Sequence, residues 1–261
     1  MSDTAAAIET IEFVARSACR AEILAALASD GCLSRANLRD RFDVSRTTVG
    51  RNITALEDRE LIRRTNGGYV ATHTGKAVAA SFGDLVETVE VATKLESIVQ
   101  WLPDEGFDPD IASLADVEVT LAGEGDPYAP VNRHEESLRT IEEGRALLAV
   151  TGLSPMRTLA ERVEEGATFE AVVEPDVAET FRSNPSYADC YETLVDTGRF
   201  ELSVADEPIP YSVVLFDDSV QVGLEDDDGL PRALLESDSA ALREWGTAVY
   251  ERYERDAERL V

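Results

Sequence analysis

The sequence predicts a two-domain α+β/α/β chain. A small helical head closed by a β-hairpin should be joined by a long helix to a C-terminal α/β domain with a mixed sheet. Three observations lead there. Helical apolar periodicity over residues 8–58 is followed by two short strand-like runs around Asn66-Gly67, a strong hairpin signal. An unbroken helical pattern runs from Thr74 to Leu102. Beyond a Pro103–Pro109 breaker, strand-like and helical runs alternate, as in an α/β layer. The expected boundaries are 1–75 for the head, 76–109 for the connecting helix and linker, and 110–261 for the α/β domain.

Ile8 to Ala28 reads as one helix. Ile11, Val14 and Ala18, then Ile23, Leu24 and Leu27, form its apolar stripe, which stops at Asp30-Gly31. Ser34 should cap a short helix through Ala36, Leu38 and Phe42. In the Asp43-Val44 turn, aspartate stands where such turns often place glycine, and it is expected to tolerate a left-handed backbone. Ser45 then caps a helix to Asp58, with Val49, Ile53 and Leu56 on one stripe. The opposite face carries Thr47, Gly50, Arg51 and Thr54, flanked by Arg46 and Thr48; Asn52 joins them as a candidate contact. Short hydroxyls and arginines suit a DNA groove, because hydroxyls bond phosphates or base edges and arginine grips guanine with two bonds. Taken alone, the helix fits an ordinary solvated face equally well.

Leu61–Thr65 and Tyr69–Thr72 are the two hairpin strands, with Arg63, Arg64 and Asn66 placed to meet backbone phosphates or the minor groove. The order helix, helix, turn, helix, hairpin is that of the winged helix-turn-helix. Ser45-Arg-x-Thr-Val-x-Arg51, followed by Leu56 and Leu61-Ile62, closely resembles the recognition helix and wing entry of prokaryotic winged-helix transcription regulators. That resemblance covers residues 10–75 and implies double-stranded DNA as the partner. Winged helices that only dock proteins are the alternative.

Thr74–Leu102 would be about 40 Å long at 1.5 Å per residue. It carries two stripes: Val78, Phe82, Leu85 and Val89, then Val91, Leu95, Ile98 and Leu102. Two stripes can serve the chain's own domains and a second copy at once, so a homodimer is expected. A purely intramolecular connector is the other reading. Further on, strands are expected at Val117–Ala122, Ala146–Thr151, Thr168–Val173, Phe200–Val204, Ser212–Phe216 and Val220–Leu224. Helices are expected at Val131–Glu143, Pro155–Glu165, Asp176–Asp196 and Ala240–Leu260. The last three strands follow closely, with a turn at Asp217-Asp218, and should be antiparallel.

The 261 residues hold 52 acidic and 24 basic side chains, for a net charge of −28, and only Lys76 and Lys94 are lysines. Such a surface fits a cytoplasm of molar salt, where a Debye length of about 3 Å screens self-repulsion. A halophilic, haloarchaeal source is expected; an acidic protein that binds cations or basic partners is the alternative. The charge is uneven. Residues 1–75 hold 10 basic and 10 acidic residues, and Leu33–Asn66 holds eight arginines against five acids. A head spared acidification favours a polyanion partner. In molar salt, however, counterion release contributes little, so recognition there must rest on shape and hydrogen bonds more than on charge.

Cys19, Cys32 and Cys190 have neither disulfide-framework nor zinc spacing and read as buried small apolar residues. The Ala5-Ala6-Ala7 run lacks a signal peptide's basic start, and no apolar run reaches 18 residues. A cytoplasmic protein with no membrane partner is expected.

The C-terminal half carries a second resemblance. Val204-Ala-Asp-Glu-Pro-Ile-Pro-Tyr-Ser-Val-Val-Leu-Phe-Asp-Asp218, Val222-Gly-Leu-Glu225, Leu230-Pro-Arg-Ala-Leu-Leu235 and Glu244-Trp-Gly246 occur in order, after Ala115-Asp-Val-Glu-Val-Thr120 and Pro130-Val-Asn-Arg133. Together they resemble the middle domain of the archaeal methanogenesis (filament) regulatory protein family over most of residues 110–258. The resemblance implies an archaeal transcription regulator with a sensory or oligomerising module, and it names no effector.

Sheets of this type also host phospholipase-D-like catalysis, which needs a histidine nucleophile and a nearby lysine. Residues 110–261 contain one histidine, His134, followed by Glu135-Glu136, and no lysine. There is no Gly-x-x-x-x-Gly-Lys loop and no metal-ligand cluster. The expectation is therefore no enzyme, no cofactor and no metal. A phosphodiesterase with a targeting head and a winged-helix protein-interaction scaffold stand as alternatives. A small-molecule effector site remains possible at the strand ends. Thr151, Gly152 and Ser154 lie at a strand-to-helix turn whose amides could hold an anion, or simply cap the helix. Tyr211, Ser212 and Gly223 are further candidate lining residues. The sequence thus predicts a sequence-specific DNA-binding transcription regulator.

Overall fold

The computed structural model describes residues 3–103 and 106–261; Asp104 and Glu105 of the Pro103–Pro109 breaker lie outside them. The chain forms two compact units, Met1–Glu90 and Val91–Val261. Across them the fold is mixed α/β, with a two-stranded and an eight-stranded sheet among the described residues.

The first unit opens with two helices, α1 (Asp3–Ala15) and α2 (Ala18–Ser29), where the periodicity predicted one. Ser17 is extended, with φ −150°, and splits them. In a continuous helix Val14 and Cys19 would stand about 140° apart. The break lets both face the core, where Val14 is fully buried, and leaves Ile8 and Ile11 exposed. Helix α3 (Arg35–Arg41) begins at the predicted Ser34 cap, which accepts from Asn37 N while Asn37 Oδ1 accepts from Ser34 N. Asp43 is not left-handed. Among the described residues the one non-glycine with positive φ is Glu60, at 56°, in the turn after α4 (Arg46–Asp58). There the chain reverses on a bond from Leu61 N to Leu56 O of 3.0 Å.

Strands β1 (Ile62–Thr65) and β2 (Gly68–Ala71) pair antiparallel, Ile62 with Ala71 and Thr65 with Gly68, around the two-residue Asn66-Gly67 turn. Leu33 bridges Tyr69 through two bonds of 3.1 and 2.9 Å and extends the ribbon. This approach requires glycine at 68, since a Cβ there would stand 2.2 Å from Leu33 O. Ile23, Leu24, Leu27, Leu38, Val49, Ile53 and Leu56 close the core, each burial contributing about 1.5–3 kcal/mol.

Helix α5 (His73–Leu95) is shorter than the predicted Thr74–Leu102. Past Leu95 the backbone tightens to i+3 bonds, Ile98 N to Leu95 O and Trp101 N to Ile98 O, both 2.9 Å. In the second unit this turn keeps Val91 and Ile98 in one core, with Leu95, Trp101 and Leu102 packed against it.

The second unit is built on β3 (Glu118–Leu121), β4 (Glu143–Leu148), β5 (Thr168–Val173), β6 (Phe200–Val204), β7 (Ser212–Leu215), β8 (Val220–Glu225), β9 (Pro231–Ser237) and β10 (Glu258–Arg259). Their order is β10-β6-β5-β4-β7-β8-β9-β3. The β4–β5–β6 flank is parallel; β4–β7–β8–β9–β3 is antiparallel. Strand β6 therefore lies beside β5, not beside β7 as its closeness in sequence suggested. Strands β9 and β10 were not foreseen.

Helices α6 (Ala129–Leu138), α7 (Leu153–Glu165), α8 (Pro175–Ser183), α9 (Pro185–Asp196) and α10 (Ala240–Asp256) complete the unit. The helix expected over Asp176–Asp196 is two. Pro185 has no N–H to continue the ladder, and Asn184 turns extended and caps Ser186 N at 3.0 Å. One apolar cluster joins Val213, Leu215, Val222 and Leu235 to Tyr250 and Tyr253 of α10. Val214 and Phe216, alternating with them, join Phe169, Ala171, Met156 and Phe181 in a second cluster with α6–α9. Of the cysteines, Cys19 is buried and Cys190 partly so, but Cys32 is exposed, against expectation.

Candidate functional site: a basic helix face and an apolar cavity

On α4, Val49, Ile53 and Leu56 turn inward as the spacing requires. Ser45 caps the helix by accepting from Thr48 N at 3.2 Å, a contact of about 1 kcal/mol. Arg46, Thr47, Arg51 and Thr54 are exposed and line a shallow groove with Gly50 and Arg35. The hydroxyls differ in what they leave free. Thr48 and Ser45 bond each other at 2.9 Å, and Thr54 donates back to Gly50 O at 3.2 Å. Thr47, with both hydroxyl roles open, is the best-placed hydroxyl reader.

Two predicted contacts are corrected. Asn52 is 1 % exposed, because it follows Val49 by three residues and shares its buried stripe. Gly50 is also buried: the Arg35 guanidinium covers it, and a Cβ there would stand 2.6 Å from Nη2. On the hairpin, Arg63, Arg64 and Asn66 are exposed.

Arg20, Arg35 and Arg59 were missed because they lie outside the recognition stretch. Phe13 is flanked by Arg20 at 4.0 Å and Arg59 at 4.6 Å from its ring centre. Burial first, then the guanidinium groups of Arg51, Arg59 and Arg16, push the Arg20 pKa below the arginine value. In the head, Arg16 pairs with Glu12 and Arg41 with Asp30. Among the described residues, Arg20, Arg35, Arg46, Arg51, Arg59, Arg63 and Arg64 make no ion pair, in a chain with 52 acidic residues.

The second unit holds a partly open cavity of about 170 Å³ on its α6–α9 side. Ala146, Met156, Phe169, Ala171, Phe181 and Phe200 give it an apolar interior. Of the candidate ligand residues, Thr151, Gly152, Ser212 and Gly223 line it. Ser154 and Tyr211 do not. Ser154 Oγ donates to Glu135 Oε2 at 2.6 Å. Tyr211 belongs to the α10-side core, its hydroxyl donating to Gly106 O.

The cavity's polar groups are ones the sequence reading left aside. His134 Nδ1 bonds Gln221 Oε1 at 2.8 Å, and Gln221 Nε2 donates to Ser137 Oγ at 2.9 Å. An amide oxygen only accepts, so Nδ1 carries the proton and Nε2 is the remaining acceptor. Burial lowers the His134 pKa and keeps the ring neutral. Ser212 Oγ donates to Glu225 Oε1 at 3.3 Å and accepts from Ala149 N at 3.2 Å. Burial pushes the Glu225 pKa up to about 7. The available signal was Gln221, Gly223 and Glu225 at alternate positions of an otherwise apolar strand. Among the described residues no group of His, Cys, Asp and Glu is placed to hold a metal, and no helix is long and apolar enough to cross a membrane.

The head thus presents a basic helix face and hairpin, and the α/β unit a partly open apolar cavity. Residues 127–256 match the family model described as Methanogenesis regulatory protein FilR1, middle domain. Residues 8–94 match the model described as the HVO_A0261 N-terminal domain. No curated protein matches the chain. Among solved structures, the chain is similar to TrmBL2, an archaeal chromatin protein, at 16 % identity and TM-score 0.42, covering 96 % of this chain and 98 % of that one. It is also similar to the phospholipase D family member Nuc from Salmonella typhimurium, at 14 % identity and TM-score 0.44, over 56 % of this chain and 97 % of that one. NucT from Helicobacter pylori matches at 10 % identity and TM-score 0.45, over 56 % and 99 %.

Proposed function

We propose that the chain is a sequence-specific DNA-binding transcription regulator of a halophilic archaeon, acting in the cytoplasm. In this reading Met1–Glu90 contains a winged helix-turn-helix, with α4 in the major groove and the β1–β2 wing on the backbone or minor groove. The observation that carries it is the set of arginines without ion pairs on and around α4 and the wing. In so acidic a chain, exposed guanidinium groups without carboxylates fit a polyanion partner. The match of residues 127–256 to the middle domain of a methanogenesis regulatory protein supports the same reading. Arg46, Thr47 and Arg51 are the base readers, and Arg35, Arg63, Arg64 and Asn66 are backbone contacts. Arg51→Ala should keep its thermal unfolding midpoint and lose operator binding in a mobility-shift assay at high salt. Unchanged affinity would sink the assignment.

The regulator acts as a homodimer. Leu85, Val86 and Val89 of α5 are 44, 39 and 54 % exposed and lie on one helical stripe. Val89→Glu should shift the sedimentation coefficient toward that of one chain, and a single-chain species in the unmodified protein would count against the dimer. The cavity of the second unit holds a small-molecule effector. Catalysis forms no part of the proposal. The one histidine of residues 110–261 is engaged with Gln221, and a phosphodiesterase assay on the full chain should show no turnover.

A further inference from the structure

We propose that the cavity binds a small organic amine, as a cation, with its hydrocarbon body among the phenylalanines and its nitrogen on Glu225. The inference rests on the effector reading above and names the class of ligand.

Size sets the body of the ligand. At about 170 Å³ the cavity is close to an engineered apolar cavity of about 150 Å³ that takes benzene. An apolar six-membered ring or a short alkyl chain fits, and the phenylalanine-lined interior disfavours a sugar or nucleotide, polar all round.

Charge sets the head. No arginine or lysine lines the cavity. Of the arginines next to lining residues, Arg133 pairs with Glu236, Arg139 with Glu135 and Arg232 with Asp226, while Arg145, Arg157 and Arg182 adjoin lining residues without reaching the wall. At the start of α7 the Ser154 and Thr158 hydroxyls donate to Glu135, at 2.6 and 3.3 Å, which places a carboxylate beside that helix end. An acidic ligand would meet no positive side chain in the wall and a like charge beside α7.

Hydrogen bonding points the same way. The Ser212 hydroxyl is used twice, and both ends of the Gln221 amide are taken. The charged and ring acceptors left over are His134 Nε2 and the Glu225 carboxylate, beside the second N–H of Gln221 and the Thr151 hydroxyl. Glu225 accepts from the Ser212 hydroxyl and its own backbone, and among the described residues it has no cationic partner. Gly223 keeps the space beside it open, since a Cβ there would stand 3.3 Å from Glu225 Oε1 and 3.4 Å from Ser212 Cβ. A buried carboxylate without a cation is costly, and an ammonium with an apolar body removes that cost.

The test uses the full chain in the salt that keeps it folded, titrated by calorimetry with benzylamine, benzyl alcohol and benzoate, three ring-bearing probes of different charge. Benzylamine should bind at least tenfold more tightly than benzyl alcohol, and benzoate most weakly. Glu225→Gln, a near-isosteric change, should erase the preference for benzylamine over benzyl alcohol. Benzoate binding as tightly as benzylamine, or unaltered benzylamine affinity in Glu225→Gln, would overturn the amine assignment and leave an effector cavity standing. If none of the three binds, the effector reading falls with it, while the DNA reading is judged separately by mobility shift.

Discussion

The guanidinium of Arg35 on α3 occupies the space above Gly50 on α4, so that a Cβ on Gly50 would stand 2.6 Å from Nη2. The end of a flexible side chain yields easily, and alanine is the better helix former by roughly 0.5–1 kcal/mol. Gly50→Ala should therefore hold or raise the unfolding midpoint while displacing Arg35 and weakening DNA binding. Denaturation and mobility shift on the same sample read the two effects, and parallel losses in both would contradict this geometry.

Gly75 and Gly83 sit in the same helix and should respond oppositely to alanine. A Cβ on Gly75 would lie 1.8 Å from Leu61 O, a backbone atom that also accepts from Thr72 N; at Gly83 nothing lies within 4 Å. Gly75→Ala should cost about 2–3 kcal/mol, as an overpacked site does. Gly83→Ala should stabilise by up to about 1 kcal/mol. Urea unfolding of both variants checks the pair.

Arg63 and Arg64 should contribute to affinity uniformly across DNA sequences. Removing either should weaken specific and non-specific binding alike and reduce the slope of log affinity against log salt by about one. A change in sequence preference would instead place that residue at a base edge.

Glu225 should lower stability as pH rises. Below its ordinary pKa of 4.5 the carboxyl is protonated in the folded and unfolded chain alike. Between 4.5 and about 7 the unfolded chain releases the proton and the folded chain keeps it. Stability therefore falls through this window, by at most about 3 kcal/mol, and stays level above it. Burial is the main cause, eased by the Ser212 hydroxyl and the residue's own backbone. Glu225→Gln should match the parent near pH 4.5 and unfold later near pH 8. Equal midpoints at both pH values would show that the carboxylate is well solvated.

The head was legible because its signals are local. A 3.6-residue period fixed the inward face of α4, and Asn66-Gly67 between strand-like runs fixed the hairpin. What failed there depended on neighbours. Asn52 is polar, yet the helical period carries it inward, and nothing in α4 itself says that Arg35 covers Gly50. In the second unit, Pro231-Arg-Ala-Leu-Leu-Glu-Ser237 hides a strand behind helix-forming residues; its proline is tolerated at the first strand position. The pairing of β6 with β5 is long-range and has no local signature. The cavity's polar wall escaped notice because Glu225 adjoins Asp226-Asp-Asp228, and the run reads as one acidic turn.

Strand β4 pairs parallel with β5 on one side and antiparallel with β7 on the other. The β7–β8–β9 meander closes through short loops and can form early, at little entropic cost. The parallel flank needs two helical crossovers before its strands meet. Strand β4 is where the fast half and the slow half of the sheet must agree on register. Substitutions that remove its buried contacts, such as Leu147→Ala, should slow refolding, whereas equally destabilising changes at β9 should mainly speed unfolding.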